Sequence, residues 1–122
     1  MATLLVNTGK AIVTNYLAGG AATQPKYIGW GTGAGTTAIT DTTLFTETGT
    51  RVTGTATQQT TTTTNDTYQV IGTATAVGTV TITNAGLFDA VSSGNLFVKG
   101  DFTGIGLTSG DSIQFTFKTQ FS

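Results

Sequence analysis

The chain has 122 residues, with five basic and six acidic side chains that give a net charge of −1 at pH 7. Only 9% of the residues are charged, against the roughly 25% that is usual in soluble domains. The basic residues are dispersed, so we expect no nucleic acid partner and no membrane partner. The chain contains no cysteine and no histidine, which excludes disulfide bonds, thiolate metal sites and a serine–histidine triad.

A chain of this length is predicted to form one domain over residues 1–122, built around a single core. Threonine supplies 31 of the 122 residues, and its β-branched side chain suits a pleated strand better than a helix. The composition therefore predicts a mostly β protein.

The N-terminal segment, residues 1–20, is predicted to hold one short helix. Asn7 or Thr8 can cap a helix over residues 9–18, and Gly19-Gly20 ends it. The segment has no basic stretch ahead of its apolar residues and no apolar run long enough to cross a bilayer. We therefore expect a product that is made in the cytoplasm without a secretory signal.

The sequence KYIGWG predicts a strand that ends near Trp30, and a glycine-rich stretch, GTGAGTTAITDTTL, follows it. That stretch resembles a phosphate-binding loop. It lacks the Lys-Ser/Thr pair of a Walker loop and the long helix of a dinucleotide-binding unit, so it is interpreted as a structural turn around Asp41.

From Leu44 onward the chain alternates in short β-type runs separated by turn residues, which predicts an antiparallel β-sandwich or jelly roll. In the last run, Ile113, Phe115, Phe117 and Phe121 are expected on one face, with polar residues between them. Residues 57–67, TQQTTTTTNDT, are polar and low in complexity, and they are interpreted as a long hairpin, a mobile loop or an arm that orders on binding.

The acidic residues do not form a recognisable catalytic pattern. A glycosidase pair would require Asp89 and Asp101 to flank a sugar site, and a calcium site would draw on Asp66, Asp101 or Asp111, but no spacing supports either. We expect no enzyme activity, no metal and no cofactor. Asp89 is instead predicted to close a hairpin corner with the turn residues that follow it.

Two further local predictions concern side-chain contacts. Glu47 and Arg51 are expected to form a surface ion pair across a turn. Trp30 and Tyr27 could stack on a sugar, but as large residues of a strand they are more often part of the core.

The segments NTGKAIVTNYL, YIGWGTG, DTTLFTE and AGLFDA…GNLF, taken in this order, resemble a family of small virion structural proteins of tailed bacteriophages. Members are head decoration (cement) or tail fibre proteins. The resemblance runs through nearly the whole chain except residues 57–65. It implies a non-enzymatic virion component that is made in the host cytoplasm.

Of the virion roles, the sequence favours capsid cement, located on the capsid surface with the major capsid protein as partner, because the chain shows no heptad run or internal repeat. Tail or tail-fibre attachment to the host is the alternative, and a carbohydrate-binding module is a further one. Self-association as a dimer or trimer is also expected. The predicted partner contacts are Leu4, Leu5, Val6, Ile12 and Tyr16, which could equally close the bottom of the sandwich, and Thr60, Thr62 and Thr64 of the polar loop.

Overall fold

The computed structural model describes residues 2–122, so Met1, the first residue of the predicted domain, lies outside the described residues. Strands make up 49% of the structure and helix 9%. The strands form two antiparallel sheets in a sandwich-like arrangement, with one short helix near the N-terminus. The prediction of a mostly β fold with a short N-terminal helix is therefore confirmed.

The elements follow one another as β1 (Ala2–Leu5), α1 (Asn7–Leu17), β2 (Tyr27–Gly31), β3 (Glu47–Thr53), β4 (Thr55–Gln59), β5 (Thr67–Thr75), β6 (Val80–Phe88), β7 (Leu96–Leu107) and β8 (Ser112–Gln120). The larger sheet has the strand order β1-β7-β6-β2-β3, and the smaller sheet has the order β4-β5-β8. Both sheets contribute side chains to one buried cluster, which includes Ile28, Val70, Leu87 and Phe117.

The helix begins two residues earlier than predicted, and neither Asn7 nor Thr8 caps it. Val6 occupies the N-cap position without a side-chain hydrogen bond. Its backbone N–H donates to the Phe97 carbonyl, and the next N–H donates to the Ile39 carbonyl at 2.8 Å. The Thr8 hydroxyl instead donates to the Leu96 carbonyl at 2.6 Å. Tertiary hydrogen bonds therefore fix the start of this helix, where local sequence predicted a side-chain cap.

The predicted run RVTGTATQQT is divided between the two sheets. Val52 and Thr53 end β3 in the larger sheet, and Thr55 begins β4 in the smaller sheet. Gly54, between them, is buried, and a Cβ atom at this position would overlap Cγ1 of Val70. Because only glycine permits this close approach, Gly54 marks the crossing from one sheet to the other.

Strand β8 has the predicted alternation, with Phe115 and Phe117 buried and Gln114, Thr116 and Lys118 exposed. Phe121 differs from the prediction: it lies beyond the last residue of the strand and is exposed, while Thr119 takes the next buried position. Its backbone N–H donates to the Asp66 carbonyl at 2.9 Å, which ties the chain end to the loop before β5.

The sandwich has two distinct ends. We call the end that carries α1, Pro25 and the 89–95 corner the basal end, because α1 contacts the start of β7 there. We call the opposite end, formed by the β5–β6 turn (residues 76–79) and the β7–β8 turn (residues 108–111), the apical end. The two apical turns are joined by hydrogen bonds from Ala76 N–H to the Asp111 carbonyl and from Gly110 N–H to the Ala76 carbonyl, both of 2.8 Å.

Candidate functional site: interaction surfaces

The glycine-rich stretch is the β2–β3 connection, residues 32–46, and it lies on the outer face of the larger sheet. Asn84, fully buried in β6, holds it there: its side-chain oxygen accepts from Phe45 N–H at 3.0 Å and its amide donates to the Phe45 carbonyl at 3.1 Å. No helix follows the glycines. The stretch is therefore a structural covering of the sheet, as the sequence analysis interpreted it.

Lys99 is buried beneath this connection. Its Nζ atom lies 2.9 Å from Oδ2 of Asp41 and 3.3 Å from the centroid of the Phe45 ring. The Ala38 backbone N–H, together with Lys99, holds the pKa of Asp41 below its ordinary value. A buried cation that has both a carboxylate and an aromatic face as neighbours is a structural anchor of the connection.

The remaining aspartates are used to fix turns. Oδ1 of Asp89 accepts from Asn95 N–H at 2.6 Å, which closes the 89–95 corner as predicted. Oδ1 of Asp101 accepts from Thr37 N–H at 2.9 Å, and Oδ2 of Asp111 accepts from Thr108 N–H at 2.8 Å. The predicted Glu47–Arg51 ion pair is present, with Nε 2.7 Å from Oε2. It differs from the prediction of a surface pair across a turn, because both residues lie in β3 and the Arg51 side chain is only 7% exposed.

Asp89 and Asp101 are not brought together as a glycosidase pair. Asp101 lies opposite Asn84 in the β6–β7 ladder, and Asp89 comes five residues after Asn84. At about 3.3 Å per residue this separates the two positions by about 16 Å, beyond the separation that either glycosidase geometry needs. Within residues 2–122, no group of three or more acidic side chains could hold a metal ion.

Trp30 is half-buried between the sheets. Its ring lies 6.5 Å from that of Phe115, with 16° between the two planes, and it packs against the core cluster. Tyr27 is half-buried against a second cluster on the outer side of the larger sheet. Both residues serve the core, the interpretation that the sequence analysis preferred to sugar stacking.

The polar loop is shorter than predicted, because Thr57 to Gln59 belong to β4 and Thr67 begins β5. Residues 60–66 fold around the Asp66 carboxylate, which accepts from the backbone N–H groups of residues 61, 62 and 63 at 2.8, 3.1 and 3.0 Å. The amides of Thr63 and Thr61 hold the pKa of this carboxyl well below its ordinary value. The loop is thus a compact turn, and the predicted contact residues Thr60, Thr62 and Thr64 are exposed on it.

An apolar groove of about 340 Å³ lies at the basal end; we call it the basal groove. Burial raises the pKa of Tyr68, in the groove wall, to about 12, with a further contribution from Tyr16, and its hydroxyl donates to the Pro25 carbonyl at 2.9 Å. The groove is lined by Ile12, Val13, Tyr16, Leu17, Gln24, Pro25, Tyr68, Phe97 and Phe121. Among these, Tyr16, Leu17 and Phe121 are large apolar side chains that are exposed to solvent.

The predicted N-terminal contact residues occupy different surroundings. Val6 is fully buried and Ile12 nearly so, which places both in the chain's own packing at the bottom of the sandwich. Leu4 and Leu5 are half-buried on β1, an edge strand of the larger sheet. Tyr16 is exposed and lines the basal groove. Their contact with a partner stays a prediction.

Sequence reasoning did not identify Leu17, Pro25, Tyr68 or Phe121 as parts of one surface, because they come from four separate segments of the chain. It also gave no role to Val77, which is 96% exposed in the apical β5–β6 turn. The sequence signal that could have identified Val77 is an apolar residue beside a glycine in a short turn, since turns usually carry polar residues.

A second cleft, of about 390 Å³, opens where the two sheets differ in width. It lies between β8 and strands β1, β6 and β7, and Phe102, Phe115 and Phe117 are in its wall. Beside it, β8 is an edge strand whose only charged side chain is Lys118. An edge of this kind suits pairing with another chain, but dimer or trimer formation stays a prediction. The helix of the described region is too short and too polar to span a membrane.

A search of curated proteins and a search of solved structures find no significant match to this chain. A family model described as "Podophage GP4 fiber I protein gp80" matches residues 5–120, nearly the whole chain. The match includes both apical turns and all of the basal groove except Phe121, and it extends through residues 57–65, which the resemblance had left out. The chain therefore belongs to the family of the podophage GP4 fiber I protein gp80, a family of phage virion structural proteins.

Proposed function

We propose that the protein is a non-enzymatic subunit of a bacteriophage fibre. The observation that carries the proposal is the family match over residues 5–120, because the description of that family names a fibre protein. The match supports the tail-fibre alternative of the sequence analysis better than its preferred hypothesis of capsid cement.

The geometry is compatible with a fibre subunit. The aspartates fix turns or anchor a connection, and the aromatic side chains considered for sugar stacking pack in the core. Of the seven large apolar side chains that are exposed within residues 2–122, three lie together in the basal groove, namely Tyr16, Leu17 and Phe121, and the other four are dispersed. Such a surface serves contact with other proteins, because exposed apolar patches mark interaction sites.

Immunogold electron microscopy of purified virions would test the location. Antibody raised against this chain is expected to label fibres at the tail or neck. Virions grown in parallel from phage whose gene for this protein is interrupted lack the protein and control for antibody specificity. Gold spread over the heads would contradict the proposal and support capsid cement, with the major capsid protein as the partner.

Virions that lack the protein should have different defects if it is a fibre subunit and if it is capsid cement. For a fibre subunit, virions without it should have intact heads and should adsorb poorly to host cells. For cement, adsorption should be unchanged and the heads should release their DNA at a lower temperature, because a protein that binds only the assembled shell stabilises it. Normal adsorption combined with fragile heads would overturn the fibre proposal.

A further inference from the structure

Strand β8 is the longest edge strand of the fold, and it lacks the features that usually protect an edge. Edges are commonly protected by short length, bulges or charged side chains. β1 and β4 have only four and five residues, and β3 has a register shift against β2 and carries Glu47 and Arg51. β8 has nine residues in unbroken register with β5, contains no glycine or proline, and has Lys118 as its one charged side chain. Within residues 2–122, β8 is therefore the edge that is most open to another strand.

The two ends of the β5–β8 ladder show which backbone groups of β8 face outward. Ala76 N–H donates to the Asp111 carbonyl, and Phe121 N–H donates to the Asp66 carbonyl. Hydrogen-bonded and non-hydrogen-bonded pairs alternate along an antiparallel ladder, so the odd-numbered residues of β8 bond to β5. The N–H and C=O groups on the open side belong to Ser112, Gln114, Thr116, Lys118 and Gln120. Such a row of alternate donors and acceptors is a template for one added strand.

The larger sheet extends past this edge. The two sheets are joined at their opposite margin, where β3 passes directly into β4 at Gly54. Because the larger sheet has five strands and the smaller sheet three, β7 and β1 overhang β8 by about 10 Å, at about 4.8 Å per strand. The second cleft lies in this step, with Gly100 and Phe102 of β7 beneath it and Phe115 and Phe117 of β8 in its wall. The overhang thus forms a floor on which one more strand of the smaller sheet can lie.

The overhang also decides between two kinds of partner. Paired residues of neighbouring antiparallel strands project their side chains to the same face of a sheet. A second copy that paired its β8 with this one would therefore place its larger sheet on the same side, and the two overhangs would collide. A single extended segment carries no second sheet, so it fits beside β8.

The cleft indicates the side chains that the segment should carry. Those that point into the cleft would meet Phe102, Phe115 and Phe117, so apolar side chains at alternate positions would remove these rings from water. Lys118 is exposed beside the cleft and forms no ion pair within residues 2–122, which favours an acidic residue opposite it. We propose that β8 binds an extended segment of another protein chain as an added antiparallel strand, with apolar side chains in the cleft and a carboxylate opposite Lys118.

Strand addition joins two proteins of one assembly, whether that assembly is a fibre or a shell. Gold labelling tests the location of the protein, and peptide binding tests strand addition. Either proposal can therefore fail while the other stands.

A synthetic peptide of nine residues, SIEFTFKTQ, is the probe. It has the sequence of β8 with Gln114→Glu, and it lacks the overhang of a second copy. In an antiparallel pairing centred on Thr116, its glutamate lies opposite Lys118. Its phenylalanines then lie opposite Phe115 and Phe117 and face the cleft. Binding of the fluorescein-labelled peptide to the full chain is measured by fluorescence anisotropy.

Backbone methylation of the peptide separates strand addition from simple apolar contact. N-methyl groups on its third and fifth residues remove N–H groups that face β8. The matched control has N-methyl groups on the fourth and sixth residues, whose N–H groups face solvent. We expect binding about tenfold weaker for the first peptide and nearly unchanged for the control, because main-chain hydrogen bonds supply the affinity of an added strand.

Proline variants test the same edge from the side of the protein. Thr116→Pro removes an outward N–H group and should leave the ladder to β5 in place, since proline is tolerated on the open side of an edge strand. The matched control is Gln58→Pro on β4, the other edge of the smaller sheet, where the same alternation turns Gln58 outward. We expect Thr116→Pro to abolish peptide binding and Gln58→Pro to leave it unchanged.

Charge reversal tests the carboxylate. Lys118→Glu should weaken binding of the peptide, and a peptide with lysine as its third residue should restore it. Failure of the second peptide to restore binding would overturn the pairing opposite Lys118.

Hydrogen exchange in the original protein requires no variant. Peptide binding should slow exchange of the Gln114, Thr116 and Lys118 amides about tenfold and leave the Phe115 and Phe117 amides, already bonded to β5, unchanged. Absence of peptide binding at millimolar concentration, or equal effects of the two methylation patterns, would overturn the proposal. So would slower exchange confined to residues of the basal groove, because this would place the peptide there.

Discussion

Replacing Asp41 by Asn would leave the ammonium group of Lys99 buried without its counter-ion. The Lys99 side chain is 1% exposed and that of Asp41 is 21% exposed, with 2.9 Å between Nζ and Oδ2. Breaking a buried pair by removing one partner costs about 3 to 5 kcal/mol. Because Asp41 is partly exposed and Asn keeps an oxygen for the Ala38 amide, we expect the free energy of unfolding to fall by about 3 kcal/mol, the lower end of that range.

For a chain of this length, 1 kcal/mol corresponds to about 4 °C in Tm, so Asp41→Asn should lower Tm by about 12 °C. Lys99→Met removes the buried charge and keeps an unbranched side chain against the Phe45 ring. We expect its free energy of unfolding to stay within about 1 kcal/mol of the original protein. The assay is urea unfolding followed by far-UV circular dichroism and by the fluorescence of Trp30.

The double variant isolates the charge effect. In the Lys99→Met background no buried ammonium group remains, so adding Asp41→Asn should lower the free energy of unfolding much less than Asp41→Asn does alone. The reasoning would be refuted if Asp41→Asn cost the same in both backgrounds, or if Lys99→Met alone were as destabilising as Asp41→Asn. Either result would mean that the pair does not anchor the 32–46 connection through its charges.

Three further predictions concern turns and the sheet crossing. Because the pKa of Asp66 is lowered on folding, its contribution to stability is present above the ordinary aspartate pKa of 3.8 and is lost as the pH falls below it. Between about pH 5 and pH 2, the free energy of unfolding should therefore fall more steeply for the original protein than for Asp66→Asn. Equal slopes in the two proteins would contradict this prediction. Asp89→Ala should lower the free energy of unfolding by about 0.5 to 1.5 kcal/mol, because two exposed Asn95 donors exchange the carboxylate for water. Urea unfolding measures this loss, with Ser92→Ala in the same corner as the neutral control. Gly54→Ala should lower the free energy of unfolding by about 1 to 3 kcal/mol, because the added methyl group would overlap Val70. The control Gly78→Ala should lower it less, because the space around Gly78 is open. Similar losses in the two variants would show that the crossing at Gly54 is not tightly packed.

The sequence alone determined the features that depend on short-range patterns. The alternation in residues 112–118 assigns the buried and exposed faces of β8, because side chains of a strand alternate with a period of two. The Asp89 corner and the Glu47–Arg51 pair were likewise predictable, since their partners lie within a few residues along the chain. The mostly β class followed from the threonine content and the spacing of turn residues.

Only the tertiary structure decided the rest. The partner of Lys99 is 58 residues away, and the helix begins at Asn7 because backbone groups near Phe97 and Ile39 anchor it. Gly54 divides a continuous β-type run because its two halves pair with strands of different sheets. The basal groove collects side chains from α1, Pro25, Tyr68, Phe97 and Phe121, and its position opposite Val77 depends on how far β5 runs through the sandwich. No local pattern encodes such a surface, because it exists only after distant segments have packed together.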